Sequence, residues 1–321
     1  MISIRLTSRI ATLMVGLFFL IGCTQKIEPT IVQLDSQLTV SNQIIDLATG
    51  KSLTPQQLVE QLAQSPRVIV GEKHDNHYHH QIEQWLAQEM PKIRPQGAVL
   101  LEMLTPSQQN SVNRVQAQMQ NNPYIRDEKL QSALNWNSGW PWEQYGALIR
   151  HLLSSPYPLL SANLDKEEVL AAYAKPSSVT GQHSAQPIVQ ELISKTIESS
   201  HGGELTAEQV AKMTVIQQLR DRRMAESLLN GPTPALLFAG GYHATRAIGV
   251  PLHVQDLAPE EPVKVLIISE RGEEIDHLHA DFVWYTPKWW LSNSKLMISK
   301  KLILWSNLYF QQEMISIFIC Y

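Results

Sequence analysis

The feature that most constrains this chain is a series of short, unbroken apolar runs, "RVIVG", "GAVLLEM", "YPLLSANL", "PALLFAGGYH" and "VKVLIIS". A strand with one wet face alternates apolar and polar residues; these runs do not, so each reads as a strand covered on both faces. Between them the periodicity changes. Tyr78, Ile82, Trp85, Leu86 and Met90 recur at helical spacing as far as Pro91, and "EQYGALIRHLL" and "MTVIQQLRDRRMAESLL" behave in the same way. Parallel pairing requires a crossover, usually a helix, so the pattern predicts an α/β fold: a mainly parallel β-sheet flanked by helices. Ahead of the first run, "TPQQLVEQLAQSP" offers Thr54 as an N-cap and Pro55 at the first helical position. "DFVWY", residues 281–285, reads as a last edge strand.

The N-terminus follows another logic. Arg5 and Arg9 precede the apolar "IATLMVGLFFLIG", too short for an ordinary membrane span, and "LIGC" ends at Cys23. This matches the bacterial lipobox and implies a lipoprotein signal peptide over residues 1–22 and acylation of Cys23, with palmitate-type chains in membrane lipid. Thr24 stands where an aspartate would signal inner-membrane retention, so the expected location is the outer membrane. Cys320 is the other cysteine, and with Cys23 acylated no intramolecular disulfide can form. Residues 23–50 read as a tether, with a short edge strand at "TIVQLD". Residues 51–165 and 232–287 read as the α/β domain, 166–231 as a smaller helical lobe, and 288–321 as an atypical tail to which no function is assigned. The net charge of −4 comes with no long basic run, which excludes the footprint of a nucleic-acid binder.

Ligands of open parallel sheets sit beyond the carboxyl ends of the strands. The chain places Gly71-Glu72-Lys73-His74, Glu102, Asn163 and Gly240-Gly241-Tyr242-His243 at those exits. A carboxylate at the end of a buried strand needs a cation or several donors. A metal, a histidine or Lys73 would serve Glu72 and Glu102; ion pairing at strand ends is the purely structural alternative. His77 and His80 share one side of a helix, as a cofactor or partner contact would, while His79 points elsewhere and reads as a solvated residue. His183 and His201, in the helical lobe, are placed to reach over the site.

"VIVGEKHDNHYHHQIEQWL", "VLLEM" with the later "TPSQQN", "SANL", "QQLRDRRMAESL" and "LLFAGGYHATRAIGVPLHV" resemble the ChaN family of bacterial iron-regulated, haem-binding lipoproteins. That family shares a GExH and a GxxH motif with erythromycin esterase and the Tiki metalloproteases, here Gly71 to His74 and Gly240 to His243. The resemblance implies a haem-binding lipoprotein in haem and iron uptake at the cell surface, a homodimer when haem is bound, and an outer-membrane haem receptor as partner. Ferric haem takes a Tyr or His axial ligand, and a phenolate oxygen favours Fe(III). The axial candidates are Tyr242, Tyr78 and Tyr145 in that order, with His77, His80 or His243 as second ligand or hydrogen-bond partner. Arg220, Arg222 and Arg223 are either propionate partners or a solvated helix face. The alternative is a Tiki-like hydrolase in which Glu72, His74, Glu102 and His243 hold a divalent metal ion that activates water.

Overall fold

A computed structural model describes residues 33–36, 38 and 43–289. The export signal, Cys23, Thr24, Cys320 and the tail from residue 290 lie outside the described residues, as do residues 30–32 of the expected edge strand. Residues 33–35 of that segment are not a strand.

The chain begins with a hairpin, β1 (Gln43–Asp46) and β2 (Lys51–Leu53), then α1 (Pro55–Leu62), β3 (Arg67–Glu72), α2 (His77–Ile93) and β4 (Ala98–Leu101). Three helices follow, α3 (Gln109–Asn121), α4 (Asp127–Leu134) and α5 (Trp142–Ser154), before the short β5 (Leu159–Ser161). Then come α6 (Lys166–Ala174), α7 (Pro187–Ser200) and α8 (Ala207–Asn230). The chain closes with β6 (Ala235–Gly240), the single turn α9 (Gly241–Ala244), α10 (Val250–Leu257), β7 (Val263–Glu270) and β8 (Phe282–Thr286).

All these strands form one sheet in the order β2-β1-β8-β7-β3-β6-β4-β5. Every pair from β8 to β5 is parallel, and β1 is antiparallel to both its neighbours. The α/β expectation holds. Two local expectations change: β8 is not an edge, because β1 pairs with its outer side, and β1 itself comes from the stretch read as a tether.

Alternation divides the core in two. Val68, Val70, Val99, Leu101, Leu236, Phe238, Leu266 and Ile268 pack with α1 to α5. Ile69, Ala98, Leu100, Ala235, Leu237, Val265 and Ile267 pack with Met224, Ala225 and Leu228 of α8 and Val250 and Val254 of α10. A continuous apolar strand is therefore two interleaved half-sets, each serving one helical layer. The segment expected to be a helical lobe is rooted here: α8 runs along the sheet, while α7 packs on it through Val189, Ile193, Ile197, Val210 and Met213.

Local rules account for the helix ends. Thr54 accepts from the Gln57 backbone N–H at 3.2 Å while the Gln57 side chain accepts from Thr54 N–H at 2.8 Å, a capping box with Pro55 at the first position. Pro91 does not end α2, which continues to Ile93. The carbonyl that a proline at this position leaves free is that of Ala87, and it accepts from the Tyr157 hydroxyl at 3.2 Å. The Gln- and Asn-rich stretch also has internal work: buried Gln116 donates to the Tyr157 carbonyl at 2.8 Å, and Gln108 to that of Asn135 at 2.9 Å.

Candidate functional site at the carboxyl edge of the sheet

β3, β6, β4 and β5 are consecutive neighbours, so the four exits that carry polar residues lie side by side. The pleat then sends their side chains to opposite faces. Glu72 has the parity of Val68 and Val70 and enters the layer of α2 and α5; Glu102 has the parity of Ala98 and Leu100 and meets α8.

On the first face, Tyr145 of α5 donates its hydroxyl to Glu72 Oε1 at 3.0 Å, and His74 Nδ1 contacts the same carboxylate oxygen. His80 lies edge-on to the Tyr145 ring at 4.4 Å, donates Nε2–H to the His74 carbonyl at 3.0 Å and contacts Glu83 at 3.3 Å. Burial opposes protonation of His74, but the carboxylates of Glu72, Glu102 and Glu83 outweigh it and raise its pKa to about 9. Burial raises Glu83 to about 7 against the pull of His80. Glu72 Oε2 and Glu83 Oε1 are buried without a hydrogen-bond partner among the described residues.

On the second face, Glu102 Oε2 accepts the Gly240 backbone N–H at 2.7 Å, and Oε1 lies 3.4 Å from His243 Nε2. The other nitrogen, His243 Nδ1, is 2.6 Å from Asp221 of α8. Burial opposes charging of His243, yet Glu102 and Asp221 raise its pKa, and His243 in turn holds the buried Glu102 below the usual carboxylate range. The two faces meet at Gly240, which pairs with Glu72 in register. A Cβ at Gly240 would stand 2.7 Å from His74 Nε2 and 3.6 Å from Glu102 Oε2.

The shared rim therefore exists, but the expected metal set does not assemble as one. Among the described residues no group of three or more His, Cys, Asp or Glu is disposed to hold a metal ion. Glu72 is turned to His74 on one side of the sheet and Glu102 to His243 on the other, so the four act as two acid–imidazole pairs.

A family model for haem-binding uptake, Tiki superfamily, ChaN matches residues 58–254. The chain belongs to this family. The solved structure of ChaN of Campylobacter jejuni, which binds haem cofacially, aligns at a TM-score of 0.71 and 28% identity, covering 77% of this chain and 97% of that one. An erythromycin esterase mutant in its open conformation aligns at a TM-score of 0.42 and 12% identity over 77% of this chain and 83% of that one. No curated protein matches the chain.

For a member of the ChaN family, the question becomes which donors are free to face a haem. Tyr242 is 66% exposed at the end of β6. Tyr145 is 0% exposed with its hydroxyl spent on Glu72, and Tyr78 lies in the core, so the axial roles expected for both are corrected by burial. His80 and His243 are also buried with both ring nitrogens engaged, which removes them as ligands in this arrangement. His77 is half-buried, 5.0 Å from the Trp289 ring, with Nε2 2.8 Å from the Gln81 amide. An exposed phenol suits the donor chemistry of a ferric haem, and the half-covered His77 imidazole against the Trp289 indole is a separate aromatic pair.

Other expectations also change. His79 is not solvated: it is fully buried, accepts the Lys73 N–H at 2.9 Å and meets Thr286 at 3.1 Å. The arginines of α8 all have protein partners, Arg220 in the interior and Arg223 in a solvent-exposed ion pair that keeps it on the wet face of the helix. Arg222 binds His253 at 3.2 Å and the Thr180 carbonyl at 2.5 Å, Arg223 pairs with Glu168 at 2.6 Å, and Arg220 is buried beside Glu102. His201 turns back to the Ile197 carbonyl at 2.7 Å, and the His183 backbone is tied to Asp256 at 2.7 Å. Asp221 and Glu83 escape the sequence reading, because an acid inside "RDRR" or on a helix carries no local sign of burial.

Proposed function

We propose that this chain binds ferric haem through the Tyr242 phenolate and serves haem and iron uptake at the bacterial cell surface. The observation that carries this reading is selective exposure. Of the candidate axial tyrosines, Tyr242 alone stands in solvent, and it does so at the sheet edge where α/β folds hold ligands. Bound haem would supply a Lewis-acidic iron; the protein's part is to present the phenol and to keep it in place.

The likeness to the Campylobacter jejuni protein, whose haem binding is cofacial, supports a homodimer with haems face to face between two chains. The lipobox supports anchoring through acylated Cys23, and Thr24 supports the outer membrane, where a haem receptor is the partner. Among the described residues no helix is long and apolar enough to cross a membrane. Replacing Cys23 by Ala should move the protein from the membrane to the soluble fraction and abolish labelling by radioactive palmitate. Retention of both membrane association and label would remove the lipoprotein reading.

Hemin titration is the direct test of the site. The purified protein should produce a shifted Soret band that saturates at fixed stoichiometry, and Tyr242→Phe should abolish the phenolate signature and weaken binding at least about tenfold, the loss of one good charge-assisted contact. A free-hemin spectrum at every ratio sinks the proposal. The hydrolase alternative has no comparable support, since its four residues are paired with one another on two faces.

A further inference from the structure

We propose that the buried Glu102–His243–Asp221 cluster is a pedestal for Tyr242, and that Asp221 of α8 is the positioning residue that locks it. This inference rests on the reading of Tyr242 as the haem ligand and goes beyond it by assigning a task to the GxxH motif. Tyr242 is the exposed member of a single helical turn whose flanking residues are all fixed. Before it, Gly240 N–H is held by Glu102 at 2.7 Å. After it, His243 bridges Glu102 at 3.4 Å and Asp221 at 2.6 Å.

The backbone is confined as well. A Cβ on Gly71 would lie 2.6 Å from Ala244 Cβ and 3.1 Å from Gly241 Cα, so β3 supports the turn from below. A Cβ on Gly249 would lie 2.1 Å from the His243 carbonyl oxygen and 2.8 Å from that of Tyr242, so the chain entering α10 closes over it. One turn of helix is too short to persist alone. Its geometry comes from these contacts, and the side chain left pointing outward is the phenol. Asp221 links this turn to α8, whose Met224, Ala225 and Leu228 pack on the second sheet face, and so ties the ligand's position to the core.

The test is a coupling experiment on the full-length protein titrated with hemin. Asp221→Ala should shift the visible phenolate band and weaken haem binding about tenfold, as loss of a buried charge-assisted hydrogen bond would do if it displaces the ligand. Asp221→Asn keeps an oxygen that accepts from His243 and should restore the band. In a Tyr242→Phe background, Asp221→Ala should change affinity by less than about twofold, because a residue that acts through another loses its effect when that other is absent. An unchanged band and affinity in Asp221→Ala, or its full effect persisting beside Tyr242→Phe, overturns the pedestal. Should the alanine variant fail to fold, His243→Gln breaks the same bridge and is judged by the same two criteria. If Tyr242→Phe alone leaves haem binding and the band intact, the ligand reading fails and the pedestal with it; if Tyr242→Phe acts and Asp221→Ala adds to it in full, only the pedestal fails.

Discussion

Tyr145 and Tyr242 are the same residue type within one sheet edge, and their surroundings give them opposite work. Tyr145 is enclosed by α2 and α5, donates to Glu72, and has its phenol pKa pushed up, by burial first and then by Glu72 and Glu83. It belongs to the support of a buried carboxylate. Tyr145→Phe should cost about 1–3 kcal/mol in urea unfolding, the range for a buried group left short of a partner, while the hemin spectrum stays as in the parent. A stability change below the error of the measurement would show that Glu72 does not depend on this phenol. Gly240 is decided by space instead. A methyl there meets the His74 ring at 2.7 Å, so Gly240→Ala should cost about 1–3 kcal/mol through overpacking, read as a lower urea midpoint. The need for glycine after "LLFA" is visible in the sequence only as permission for close approach; that the neighbour is His74 is not.

Among the elements, α2 shows where local rules succeed and where they fall short. Its start is local, because Asn76 accepts from Tyr78 N–H at 2.9 Å, the usual device of an N-cap. Its end is not. The carbonyl freed by Pro91 is satisfied by Tyr157, far along the chain at the approach to β5, so the helix continues past the point at which its own sequence would stop it. His151 Nε2 also reaches that carbonyl, at 3.4 Å, so Tyr157→Phe removes the nearer of two donors and should lower stability by about 1 kcal/mol or less, measured by thermal or urea melting. The loop before α2 is tied down in a similar way. Glu270 at the end of β7 accepts from Asn76 at 2.8 Å and from Lys73 at 3.1 Å, and His79 bridges Lys73 and Thr286. The four histidines crowded into one segment therefore divide between a ring near the surface, His77, and three that join elements, His74, His79 and His80.

At the scale of the whole molecule, the acid–imidazole pairs tie stability to pH. His74 has a folded pKa of about 9 against an ordinary value of 6.5. A group raised in the folded state contributes fully below its unfolded pKa and loses that contribution as pH rises through the folded one. Stability should therefore fall between about pH 6.5 and 9, by an amount on the order of 3 kcal/mol for His74, and the raised pKa values of His80 and His243 act in the same direction. Urea midpoints across that range should decline in the parent and flatten in His74→Gln. An unchanged slope in the variant would place the dependence elsewhere.

The sequence by itself determined the architecture and the rim. Continuous apolar runs require cover on both faces, parallel pairing requires crossovers, and polar residues just past such runs emerge at one edge. Those properties are local, so one chain segment at a time carries them. Which acid meets which imidazole was left to tertiary structure, because it depends on strand order, on the register that sets Glu72 against Gly240, and on the layer each side chain enters. The partners Tyr145 and Asp221 come from helices distant in sequence, on opposite faces. Burial by those layers separates the enclosed tyrosine from the exposed one, and no neighbouring residue in the chain records it.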